Sequence, residues 1–174
     1  AAEATYGHIS TWETGGVTDM SYLFCNKHGS DAAYGCSKPR VQSFNEDISA
    51  WDTSGVTTMK AMFWGASAFN EDISNWAVHS VTDMGAMLNG AVAFNQDIGG
   101  WAVDNVVAMA GMFYDASAFD QDLGWCVNDS IDPAYMFGSR STTPFACMGA
   151  AYGHYSCPTA ALCASTLCGV QYAA

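Results

Sequence analysis

The sequence predicts an α/β solenoid: a right-handed stack of coils, each with a short parallel β-strand and a short helical or 3₁₀ turn. Three observations predict it. A block of 25 residues repeats without a gap, as FNEDISAWDTSGVTTMKAMFWGASA from Phe44, FNEDISNWAVHSVTDMGAMLNGAVA from Phe69 and FNQDIGGWAVDNVVAMAGMFYDASA from Phe94. Apolar residues recur at fixed places in the block. Within each block the apolar spacing changes character between its two halves. A period in the twenties belongs to repeat arrays, in which one unit cannot bury its own apolar face and stacked units bury a continuous column.

The first copy lies at an offset of 39, where Ile9, Trp12, Val17, Met20, Leu23 and Phe24 match Ile48, Trp51, Val56, Met59, Met62 and Phe63. The extra length forms an insert over 25–43. A fifth, degenerate copy opens at Phe119, loses a residue before Trp125 and keeps Met136-Phe137. The expected organisation is a five-coil repeat region over 1–138 and a cysteine-rich C-terminal cap over 139–174. The columns to be buried are Phe44/69/94/119, Ile48/73/98 with Leu123, Trp12/51/76/101/125, Val17/56/81/106, Met20/59/84/109 and Met62/87/112/136. Val56, Met59, Met62 and Phe63 follow the spacing of one or two helical or 3₁₀ turns. The segment 45–51 lacks that spacing and reads as the strand whose copies pair side by side. Gly55, Gly65 and Gly90 fall where the coil must turn.

Charge narrows the function. Five Lys and Arg stand against 17 Asp and Glu, a net charge of −12. No basic patch exists to displace counterions from nucleic-acid phosphates or to hold an anionic membrane. No apolar run approaches the ~20 residues that span a bilayer. The opening Ala1-Ala2-Glu3-Ala4 has no charged n-region and no apolar h-region, and reads as a mature end left by cleavage at a small-residue site.

The phrase FN[EQ]DI-x-x-W, followed by VT-x-M-x-x-MF and a small-residue A-S-A-F link, resembles the 25-residue repeat of BspA-like surface proteins, relatives of the leucine-rich repeats. The resemblance covers residues 9–137 well and 160–170 loosely. It implies a leucine-rich-repeat-like coil stack, an extracellular or cell-surface location and a binding or structural role. It implies no enzymatic activity and transfers no functional residue.

The seven cysteines are Cys25, Cys36, Cys126, Cys147, Cys157, Cys163 and Cys168, with none between 37 and 125. Their clustering in the insert and the tail suggests disulfide staples in an oxidising compartment. The expected pairs are Cys25–Cys36, Cys147–Cys157, and Cys126 with Cys163 or Cys168. The competing use is a metal site from Cys147, His154, Cys157, Cys163 and Cys168, but zinc sites usually show tighter C-x₂-C pairs.

Two polar columns stand out. Asp47, Asp72, Asp97 and Asp122 share one repeat position, and Asn45, Asn70, Asn95 and Asp120 share the one two residues earlier. Either each Asp accepts N–H bonds from its own turn while the Asn column forms an amide ladder, or the Asp row is a calcium strip of hard oxygen ligands. Asn128-Asp129-Ser130 is a glycosylation sequon, with Asn128 the acceptor. No catalytic constellation and no cofactor motif is present, and His79 sits at a variable, solvent-facing turn. The function expected is a non-enzymatic extracellular or cell-surface structural or interaction protein, self-assembling head to tail into a filament. The alternative is a monomeric recognition module that binds glycan or protein through one face, with Trp64 and Tyr114 as aromatic contacts, or through its inserts. The expected partners are other copies or another surface protein, with no nucleic acid and no membrane insertion.

Overall fold

The computed structural model describes residues 2–26, 36, 41–125, 127, 131, 136 and 137. A short helix, α1 (Ala2–Tyr6), leads into a 3₁₀ turn over Ile9–Thr11, and a second 3₁₀ turn over Val41–Ser43 leads into the second repeat. Met136 and Phe137 are helical, and apart from isolated bridges the rest of the described chain is turns and irregular backbone.

The repeats lie on one another in register. Along the Phe column, Phe44–Phe69, Phe69–Phe94 and Phe94–Phe119 stack at 5.9, 5.8 and 5.9 Å between ring centroids. Along the Trp column, Trp12–Trp51, Trp51–Trp76 and Trp101–Trp125 stack at 6.4, 6.4 and 6.1 Å. The Ile, Val and both Met columns close the interior between these two rows of rings, with Met59, Met62, Met84, Met87 and Met112 fully buried. Burial of this kind is the main favourable term, since each unit removes its neighbour's apolar face from water.

The α/β class with short parallel strands and helical turns is not what forms. Among the described residues no sheet exists, and neighbouring repeats meet in single parallel bridges, Asp19–Thr58, Thr58–Asp83 and Asp83–Ala108. These bridges lie outside the segment 45–51 expected to be the strand. The reason is local. In that segment side chains take the backbone groups that a ladder would need. Asn45 Oδ1 accepts the Asn70 N–H, Asp47 Oδ1 accepts the Ser49 N–H, and the Ile48 carbonyl accepts the Trp76 indole N–H.

The stretch expected to be helical fails for another reason. Ala61 and Ala86 have φ of +52 and +55°, and Gly65 and Gly90 have +73 and +69°. A left-handed residue ends a right-handed helix. The chain instead makes overlapping β-turns, with the Met62 N–H donating to Met59 O, Trp64 to Ala61 and Ala66 to Phe63. Positive φ at the third residue is what a type II turn requires.

Those turns leave alternate peptide units pointing along the stack, all one way. Met20, Tyr22, Phe24 and Asn26 donate N–H bonds to the carbonyls of Thr58, Lys60, Met62 and Trp64 at 2.6–3.0 Å. Met59, Ala61, Phe63 and Gly65 donate to Asp83, Gly85, Met87 and Asn89, and Met84, Ala86, Leu88 and Gly90 donate to Ala108, Ala110, Met112 and Tyr114. In this segment each repeat therefore gives donors to the next one and shows acceptors to the one before.

Cys25 and Cys36 form a buried disulfide at the exit of the first repeat. Cys126, Cys147, Cys157, Cys163 and Cys168, the sequon at Asn128 and the cap over 139–174 lie outside the described residues.

Candidate functional site

The polar groups of the repeat form three columns, of which the first and third join neighbouring repeats and the second closes turns within its own repeat. In the first, Asn70, Asn95 and Asp120 donate backbone N–H bonds to Oδ1 of Asn45, Asn70 and Asn95 at 2.6, 2.8 and 2.9 Å. The ladder runs from backbone to side chain rather than from amide to amide. A side-chain carbonyl thus does for the extended segment what a neighbouring strand would otherwise do.

In the second column the carboxylates serve their own turns. Asp47, Asp72, Asp97 and Asp122 accept the N–H of Ser49, Ser74, Gly99 and Gly124 at 3.0, 2.9, 3.0 and 3.3 Å. This is the Asx-turn geometry, in which an acidic side chain bonds backbone two residues on. The Ser49 hydroxyl adds a bond of 2.7 Å to Asp47, and Ser54 does the same for Asp52 at 2.6 Å. These hydroxyls, and then the backbone N–H groups, hold the Asp47 and Asp52 carboxyls below the ordinary range, and Ser74 does so for Asp72. Hydrogen bonds to the charged form favour ionisation. Among the described residues no three acidic, His or Cys side chains come together in a way that could hold a metal ion. The calcium candidates Asp47, Asp72, Asp97 and Asp122 remain exposed and separate.

The third column is buried. The indole N–H groups of Trp51, Trp76, Trp101 and Trp125 donate to the carbonyls of Ile9, Ile48, Ile73 and Ile98 in the preceding repeat, at 2.9, 3.2, 3.1 and 3.1 Å. Thr14 and Thr53, both buried, send their hydroxyls to the carbonyls of Asp52 and Ala77 in the following repeat. Among the described residues no buried side-chain polar atom lacks a partner. The Trp column read as apolar core therefore also carries hydrogen bonds, and the sequence signalled this only through the choice of Trp over Phe at that position.

The remaining polar candidates stand apart. His79 is exposed, and its backbone carbonyl accepts a bond from Asn105. His8 caps the first 3₁₀ turn through Ser10 and reaches Glu46 of the second repeat at 3.6 Å, where both groups are well exposed. Lys60 lies 3.8 Å from Asp83. Tyr114 is exposed and Trp64 half-buried at the same repeat position, with Asn89 between them.

The first repeat, where the sequence left the Ile9, Trp12 and Val17 columns without a neighbour above, is less covered than the repeats behind it. The Trp12 indole donates to the carbonyl of Tyr6 at 3.1 Å, as Trp51 does to Ile9, so α1 supplies an acceptor in place of a preceding repeat. Yet Trp12 is 40% exposed where Trp51, Trp76 and Trp101 are 4%. Among the described residues no donor reaches the carbonyls of Asp19 and Ser21, although their equivalents Thr58 and Lys60 each accept a bond.

The sequence matches the family described as "Mycoplasma protein of unknown function, DUF285" over residues 1–33 and 37–145. No curated protein and no solved structure matches it.

Proposed function

We propose that this chain, which belongs to the DUF285 family of proteins of unknown function, is a non-enzymatic structural and interaction protein of the cell surface or extracellular space that joins copies of itself. The finer reading is that of a BspA-like surface protein, and the FN[EQ]DI-x-x-W and VT-x-M-x-x-MF wording of its repeats supports it. One observation carries the proposal: Asn, Thr and Trp side chains of the described repeats bond the backbone of the repeat beside them. Asn, Asp, Thr and Trp side chains that could otherwise do chemistry bond backbone instead. A unit built to bind copies of itself extends by adding further copies.

The Cys25–Cys36 disulfide supports the compartment, since such bonds persist in oxidising surroundings. The second reading, a monomeric module that stacks a glycan on Tyr114 and Trp64, draws on the exposure of Tyr114. Light scattering over a wide concentration range separates the two. Growth of the particle beyond one chain is the expected result. A strictly monomeric mass at high concentration, with Trp12 protected from solvent, overturns it and leaves the recognition reading.

A further inference from the structure

Asn89-Gly90 is the one place in the chain where Gly follows Asn. In an unconstrained peptide that pair is chemically unstable. The backbone nitrogen after an Asn attacks the side-chain carbonyl carbon, closing a five-membered imide and expelling ammonia. Gly has no side chain to shield that nitrogen. Water then opens the imide at either carbonyl and leaves aspartate or isoaspartate. The fold does not require the pair. The position of Asn89 holds Trp64 one repeat earlier and Tyr114 one repeat later, and Asp115 stands where Gly90 does.

The stack holds the reacting peptide unit from both sides. The Asn89 carbonyl accepts the Gly65 N–H of the second repeat at 2.7 Å, and the Gly90 N–H donates to the Tyr114 carbonyl of the fourth, also at 2.7 Å. The two groups belong to one planar unit, so neither turns without the other. To attack, the Gly90 nitrogen must give up its proton and swing toward the Asn89 side chain. Both moves break the bond to Tyr114. The Asn89 side-chain nitrogen lies against the fourth repeat as well, 3.6 Å from where a Cβ on Gly111 would stand. Asn89 and Gly90 are half-buried, so water reaches them once the unit opens.

We propose that Asn89-Gly90 is a self-modification site gated by the stacking of the second, third and fourth repeats. It is inert while the bonds to Gly65 and Tyr114 hold. Local opening of the stack releases it. The Gly90 nitrogen then bonds to the Asn89 side-chain carbon, the bond from that carbon to the amide nitrogen breaks, and ammonia leaves with the Gly90 proton. Water adds its hydroxyl to one imide carbonyl and its proton to the Gly90 nitrogen. Opening at the side-chain carbonyl gives aspartate on an unchanged main chain. Opening at the main-chain carbonyl gives isoaspartate, whose main chain runs through the side chain and is longer by a carbon. The longer unit cannot meet Gly65 and Tyr114 in register. A transient parting of the repeats thus becomes a permanent one. This chemistry is independent of the self-joining role.

Peptide mass spectrometry of the whole chain, incubated at neutral pH and fragmented so that aspartate and isoaspartate separate, tests this without any variant. In unfolding urea Asn89 should convert faster than Asn70 or Asn95, and in the folded chain at least tenfold more slowly than in urea. Below the unfolding transition, conversion of Asn89 and hydrogen exchange of the Gly90 amide should rise together as urea is added. Conversion in urea no faster at Asn89 than at Asn70 and Asn95 overturns the site. Equal rates in the folded and unfolded chain overturn the gate, as does Gly90 exchange that rises while conversion stays flat. The isoaspartate fraction, returned to native buffer, should melt below the unconverted chain, and equal melting refutes the lasting opening.

Discussion

Gly65 and Gly90 occupy one repeat position and share one backbone conformation, with φ of +73 and +69°, yet alanine has very different consequences at the two. At Gly90 an added Cβ lies 3.6 Å from the Gly65 Cα, an ordinary contact. Only the left-handed backbone resists the change, at about 1–2 kcal/mol. At Gly65 the same Cβ runs into the Asn26 carbonyl oxygen, a backbone atom that cannot swing aside. Asn26 also donates its N–H to Trp64 O at 2.6 Å and follows the Cys25–Cys36 disulfide directly. Separating the two backbones adds a lost hydrogen bond of about 1 kcal/mol and an overpacking term of about 1–3 kcal/mol. Gly65→Ala is thus expected to destabilise by roughly 3–6 kcal/mol in all. For a chain of this size 1 kcal/mol moves Tm by about 2–4 °C. Calorimetry should therefore show a drop of a few degrees for Gly90→Ala and a drop at least twice as large for Gly65→Ala. Equal shifts would refute the clamp between the first and second repeats.

Two other perturbations probe the columns. Trp76→Phe keeps the ring stack but strands the buried Ile48 carbonyl that its indole N–H serves at 3.2 Å, at about 1–3 kcal/mol, while Trp12→Phe at the exposed edge stays within about 0.5 kcal/mol. Equal unfolding free energies in denaturant would count against the indole column. The Asp47, Asp52 and Asp72 carboxyls are held below their ordinary value, so the stability they add is present above the unfolded value of about 3.9 and is lost as pH falls through the lower folded value. In Ser49→Ala the Asp47 carboxyl should titrate at higher pH by NMR, and an unmoved titration curve would remove the hydroxyl from the explanation.

Much of the packing was legible before the fold was seen, because a period of 25 fixes which side chains meet. Phe69 stacks between Phe44 and Phe94 simply because all three open a repeat. The Asp column was legible too, since Asp followed two residues later by Ser or Gly is a turn signal. The backbone was not. Val56, Met59, Met62 and Phe63 have helical spacing, and the residue that breaks the helix is Ala61, an excellent helix former forced to φ +52°. Propensity yields there to the bonds that Ala61 and its neighbours make along the stack. The strand expected over 45–51 failed because Asn, Asp and Trp side chains bond its backbone, a competition that alternation of apolar residues does not reveal. The open edge at Asp19 and Ser21 was legible only as an end of the array.

Residue-resolved hydrogen exchange tests the bonding between repeats in the turn segment most directly. The amides of Met59, Ala61, Phe63, Gly65, Met84, Ala86, Leu88 and Gly90 all donate across to the next repeat, whereas those of Glu71, Asp72 and Ile73 donate to nothing among the described residues. The first group should exchange slowest and as one cooperative set, with Glu71, Asp72 and Ile73 exchanging far faster. Strong protection at Glu71, Asp72 and Ile73 with fast exchange at Ala61 and Ala86 would mean a strand ladder where none is described, and would contradict the directional stack.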